Sequence, residues 1–83
     1  MVKKPHQVRE RFRQLRRAKG THDEVGVAVG VTGTMIRYIE HSYANPSIKL
    51  MFRLSNYFSV PVAELFSDVE KEALEEAPFL KLM

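Results

Sequence analysis

Residues 21–40, THDEVGVAVGVTGTMIRYIE, contain two helix starts with a stop between them. Thr21 can accept a hydrogen bond from the Glu24 amide while the Glu24 carboxylate accepts one from the Thr21 amide, which is the reciprocal pattern of a capping box. Val25, Ala28 and Val29 then supply a short apolar face. Gly30 is free to take positive φ and end that helix, and Thr32 offers a second cap close behind it. Two helices joined only by Gly30, Val31 and Thr32 have the spacing of a helix-turn-helix.

On the second of these helices Ile36 and Ile39 define the buried direction. At about 100° per residue Thr34 lies nearly opposite them, Arg37 and Tyr38 lie to either side of it, and Gly33 and Met35 fall at the margins. Downstream, HSYANPS (residues 41–47) ends the helix and redirects the chain, because Asn45 before Pro46 is biased away from helix and Pro46 with Ser47 suits a new start. A further helix is expected with Ile48, Met51, Leu54 and Phe58 as its seam. SVPVAELF (residues 59–66) then gives a turn and a brief helix anchored by Val62, Leu65 and Phe66.

Upstream, Val8, Phe12, Leu15 and Ala18 recur at helical spacing until Gly20 stops the pattern. The same projection spreads Arg9, Arg13 and Arg17 over one outer flank and sets Arg16 near the edge of the seam. Charge follows this division: residues 1–20 carry a formal +7, residues 21–66 carry −1 and residues 67–83 carry −3, giving +3 over the 83 residues. A basic beginning and an acidic end point to different tasks.

Composition excludes several classes. There is no cysteine, so neither disulfides nor thiolate metal sites can brace a chain this small. No run of about 18 apolar residues occurs and no apolar stretch follows the basic start, so a cytoplasmic protein without membrane span or leader is expected. Ser42, Ser47, His6, His22 and His41 are the nucleophile and base candidates, but no histidine and carboxylate are set by the helices around a pocket, and no Gly-rich phosphate loop or metal-ligand spacing appears. Neither an enzyme nor a cofactor is expected, and no small-molecule effector is evident.

The segment THDEVGVAVGVTGTMIRYIE followed by NPSIKLMFRLSNYFSVPVAELF resembles the DNA-binding domain of the lambda-repressor and Cro family, often called the Xre family. The resemblance covers roughly residues 7–66 and rests on features in order: an Arg-rich first helix, the Thr21 cap, Gly30-Val31-Thr32, Ile36 with Ile39-Glu40, Asn45-Pro46-Ser47, then Val60 and Leu65-Phe66. It implies an all-α, five-helix helix-turn-helix domain with an additional C-terminal helix or tail. The implied function is sequence-specific DNA binding by a small dimeric repressor, with residues 32–40 in the major groove of a pseudo-palindromic operator.

Carried onto this chain, the resemblance implies base reading by Thr34, Arg37 and Tyr38, with Met35 against a thymine methyl and Gly33 at a position that often bears a long polar side chain. It implies phosphate contacts from Thr21, His22, Thr32, His41, Ser42, Tyr43 and Asn45, joined by the Arg9, Arg13 and Arg17 stripe. His22 stands where the family usually has a glutamine directed at a phosphate. Gly26 replaces a small alanine at the approach of the two helices. Arg16 and Glu40 match a structural ion pair.

Residues 1–6 read as a basic arm in which Lys3 and Lys4 can extend the phosphate contacts. SDVEKEALEEA (residues 67–77) reads as an acidic helix with Val69, Ala73 and Leu74 on one side, and Phe79, Leu80 and Leu82 end the sequence in an apolar tail. Leu50, Phe52 and Tyr57 are apolar residues beyond the expected seam, so the tail is expected to cover them within one chain or, preferably, across a homodimer. The competing class is a protein-interaction module, an antitoxin or adaptor whose tail binds another protein.

Overall fold

Thr21, Thr32 and Ser47 each stop an extended stretch and start a helix, and their hydroxyls accept from the amides of Glu24, Met35 and Leu50 at 3.1, 3.1 and 3.2 Å. In a computed structural model, which describes residues 7–76, six helices result: α1 (Glu10–Lys19), α2 (His22–Val29), α3 (Gly33–Glu40), α4 (Ile48–Phe58), α5 (Val62–Leu65) and α6 (Ser67–Glu76). No strand occurs among the described residues. The Thr21–Glu24 capping box is complete, the Glu24 carboxylate accepting from the Thr21 amide at 2.8 Å. The Thr21 backbone amide first, and the nearby Thr21 hydroxyl second, hold the Glu24 carboxyl below its ordinary pKa.

α2 packs closely against α3, and the turn between them explains two glycines. Gly30 ends α2 in the left-handed region, with φ 84° and ψ 29°. Gly26 faces the turn itself: a Cβ there would stand 2.6 Å from the Val31 carbonyl oxygen and 2.9 Å from the Thr32 carbonyl carbon. The turn can therefore lie on α2 only where α2 has no side chain.

Phe12, Val25, Val29, Ile36, Ile39, Leu50, Leu54, Phe58, Leu65 and Phe66 form one core to which five of the helices or their caps contribute. Phe12 is its hub, meeting Phe58 edge-on at 5.4 Å between ring centroids and Phe66 at 6.1 Å. Such aromatic contacts add roughly 0.5–1.5 kcal/mol beyond area burial.

Three packing expectations are corrected. On α4 the seam is Leu50, Leu54 and Phe58, so Leu50 is core and not a free contact residue, while Ile48 is 73% exposed. Ala28 is exposed on α2, where Gly26 takes the buried position beside Val25 and Val29. Val8 precedes α1 and is only partly buried. On α6 Val69 packs against the core and Leu74 stays half exposed. The expectations for residues 1–6 and for Phe79, Leu80 and Leu82 lie outside the described residues.

Candidate nucleic-acid interface

α3 has two unlike sides. Ile36 and Ile39 are fully buried and Glu40 is 1% exposed, whereas Thr34, Arg37 and Tyr38 face solvent together with Met35. The outer side thus presents a hydroxyl, a guanidinium, a phenol and a thioether on little more than one helical turn. These groups can donate, accept and make apolar contact, which is the repertoire needed against base edges. Thr21 and Thr32 are also exposed. Each already accepts an amide hydrogen bond as a cap, and each hydroxyl keeps a proton that a phosphate oxygen can accept.

The inner side ends in a charge cluster. Glu40 receives a two-pronged hydrogen bond from Arg16, Nε to Oε1 at 2.8 Å and Nη2 to Oε2 at 3.1 Å. This is the expected ion pair, with both partners buried. Burial alone would raise the Glu40 pKa, but the Arg16 hydrogen bond and charge, followed by His22, outweigh it and hold the carboxyl below its usual range.

His22 and Arg13 turn toward the same carboxylate. The His22 Nε2 is 3.4 Å from Glu40 Oε1, and Arg13 Nε is 3.5 Å from Oε2, where the guanidinium charge attracts the carboxylate, yet neither nitrogen has a hydrogen-bond partner. His22, the first residue of α2, thus projects its side chain into the cluster. His22 therefore does not point outward as the resemblance implied.

The stripe on α1 is corrected more strongly. Arg9 is 7% exposed and donates to the Ile39 carbonyl at 2.6 Å, the Ala44 carbonyl at 3.3 Å, the Asn45 side-chain oxygen at 2.6 Å and both Asp68 oxygens at 3.0–3.3 Å. It also lies 5.1 Å from the Phe66 ring centroid. Arg9 precedes α1 with extended φ and ψ of −78° and 94°, so a helical projection misplaces it. Of the stripe, Arg17 is exposed and Arg13 is partly buried beside Glu40 and Glu10. Among the described residues Arg17 and Arg37 make no ion pair.

The loop after α3 continues the outer side as an aromatic ledge. The Tyr43 amide donates to the Tyr38 carbonyl at 2.8 Å, their rings meet edge-on at 6.1 Å, and His41 stacks on Tyr43 at 6.3 Å. Tyr43 is 62% exposed. Ser42 donates to the Gln7 carbonyl at 2.5 Å, and the Asn45 side chain is the Arg9 acceptor already described. Tyr43 and His41 thus border the outer side of α3, while Asn45 braces the loop.

Gly33, expected at a base-reading position, is buried against α2. A Cβ on residue 33 would stand 2.9 Å from the Asp23 carboxyl carbon and 3.0 Å from its Cα, and a carboxylate oxygen of Asp23 lies deeper still inside that space. Sequence reasoning did not single out Asp23. The signal was present, since a glycine at the first position of a helix invites the question of what fills its place.

Phe52 is 63% exposed and sits one turn beyond Ile48 on α4, forming an apolar pair on the outside of the domain. Tyr57 is partly buried, with the Lys19 ammonium 5.0 Å over its ring. No group of three or more His, Asp or Glu residues suited to a metal ion exists among the described residues, and no described helix is long and apolar enough to cross a membrane. Compared with known families, the chain matches the helix-turn-helix model over residues 12–65. Comparison with curated proteins and with solved structures found no match.

Proposed function

The chain belongs to the helix-turn-helix family of lambda-repressor and Cro type, a family of DNA-binding regulators that typically lack catalytic activity, and on that premise we propose that it is a homodimeric, cytoplasmic repressor binding a pseudo-palindromic operator. α3 enters the major groove, where Thr34, Arg37 and Tyr38 read base edges and Met35 supports them. Thr21 and Thr32 donate to phosphates, and Arg17, His41 and Tyr43 line the adjacent backbone. The observation that carries this reading is the division of α3, with Ile36, Ile39 and Glu40 fixing its inner side and polar and aromatic groups filling its outer side. Occupying an operator excludes other proteins from it, so repression is the simplest action of such a dimer.

Dimerisation is supported by exposed Ile48 and Phe52 on α4 and by half-exposed Leu74 on α6, apolar groups that gain by burial against a partner. The same residues favour a second reading, an antitoxin or adaptor that uses the fold to hold another protein.

The test is enrichment of the full chain on random DNA duplexes at near-physiological salt, which suppresses non-specific phosphate binding. Recovery of an inverted repeat with half-sites about one helical turn apart is the expected result. A folded protein that enriches no sequence overturns the operator reading in favour of the second.

A further inference from the structure

Asp23 is the second residue of α2 and exposed, and its carboxylate lies in the first turn, where a negative charge suits the helix N-terminus. Glu24 closes the capping box and His22 turns to Glu40, whereas Asp23 makes no ion pair or hydrogen bond among the described residues. Its carboxylate instead lies in the space that a side chain on Gly33, the first residue of α3, would fill. In helix-turn-helix docking the N-terminal residues of the second helix are those that approach base edges. An acceptor from α2 thus occupies the location from which a residue of α3 would read.

A carboxylate at that location discriminates by sign. In the major groove cytosine and adenine present exocyclic amino groups, which donate, while guanine and thymine present carbonyl oxygens, which accept. A carboxylate only accepts, so facing an amino group it gains a charge-assisted hydrogen bond and facing a carbonyl it loses its water without replacement. Nearby phosphates repel it in every sequence, so this residue weakens binding unless a donor meets it.

We propose that Asp23 is a specificity-determining residue that stands in for the missing side chain of Gly33. It selects a base bearing a major-groove amino group, cytosine N4 or adenine N6, at the half-site position facing the first turn of α3. The inference rests on the operator-binding reading and assigns to α2 a base contact that the outer side of α3 does not supply.

Enrichment from random duplexes by the full-length protein, repeated with Asp23→Ala and Asp23→Asn, tests it. Every base pair carries one such amino group, so the unaltered chain should fix one base pair of each half-site in a single orientation, which sets the cytosine N4 or adenine N6 donor on the strand facing Asp23. Asp23→Ala should lose about tenfold discrimination at that position alone, with the rest of the site unchanged. Asp23→Asn fills the same space with both a donor and an acceptor and should change the preference there, relaxing it or moving it to adenine, whose N7 and N6 an amide matches. Circular dichroism establishes that each variant is folded, and the isosteric Asn variant serves if the Ala variant is not. An identical preference in all three proteins overturns the inference while leaving operator binding intact. Enrichment of nothing by the unaltered chain removes the operator reading beneath it.

Discussion

Arg16 and Arg37 carry the same charge in one small domain and are held in opposite ways. Arg16 is buried and directs its planar fork at Glu40, while Arg37 stands in solvent on the same helix that carries Glu40, without an ion pair among the described residues. Arg9 belongs with Arg16, and Arg17 with Arg37. The difference teaches that a basic surface cannot be counted from sequence. An arginine near a buried acceptor is drawn inward, because leaving either group without its partner in the interior is more costly than holding the side chain still. Only the arginines left over are available to a polyanion.

Glu40→Ala tests the inward class most severely. It leaves the Arg16 guanidinium buried without its carboxylate and should lower the unfolding free energy by about 3 kcal/mol, measured by urea denaturation. The same carboxyl makes stability depend on pH. Its folded-state pKa lies below the ordinary value of 4.5, so its contribution is present above that value and is lost as pH falls through the depressed folded-state value. Unfolding free energy should therefore decline in acid, and Glu40→Ala should flatten part of that decline. A variant as stable as the unaltered chain would break the distinction between the two classes.

Arg9→Ala should cost about 2 kcal/mol, since its hydrogen bonds reach the end of α3, the following loop and α6 together. Amide hydrogen exchange sharpens this: faster exchange should appear both after Glu40 and in α6, two segments that share little else. Unchanged stability with weakened DNA binding would return Arg9 to the outward class.

The outward arginines should leave stability nearly untouched. Arg37→Ala should reduce affinity for the preferred operator by roughly 1–3 kcal/mol while sparing random DNA. Arg17→Ala should have the smallest effect, weakening all sequences alike and reducing the slope of log affinity against log salt by about one. Equal losses on operator and random DNA from both would erase the assignment of base reading to α3.

Much of the fold could be read because its punctuation is local. Thr21, Glu24, Gly30, Thr32 and Ser47 act within four residues of themselves, and Ile36 with Ile39 fixes one helix face unaided. Arg16 with Glu40 was legible because both lie at the edges of those faces. The seam of α4 was not: rows through Ile48 and through Leu50 both include Leu54 and Phe58, and only the neighbouring helices choose between them. Arg9 escaped because a helical projection is invalid one residue before the helix starts. The direction of His22 and the tenancy of Gly33 by Asp23 depend on how closely two helix starts approach, a distance that residue spacing along the chain does not encode.

The Arg9–Asp68 pair joins residues 59 apart in sequence and lies across the limit of the matched family segment, residues 12–65. Both partners fall outside that segment, one before it and one after. A fragment trimmed to the family boundaries would therefore lose a clasp that closes nearly the whole described chain into one loop, and one extended only to include Arg9 would keep a buried guanidinium with no carboxylate. Through Asp68, α6 is tied to the residue that enters α1 and to the end of α3, which the family segment alone would leave unlinked.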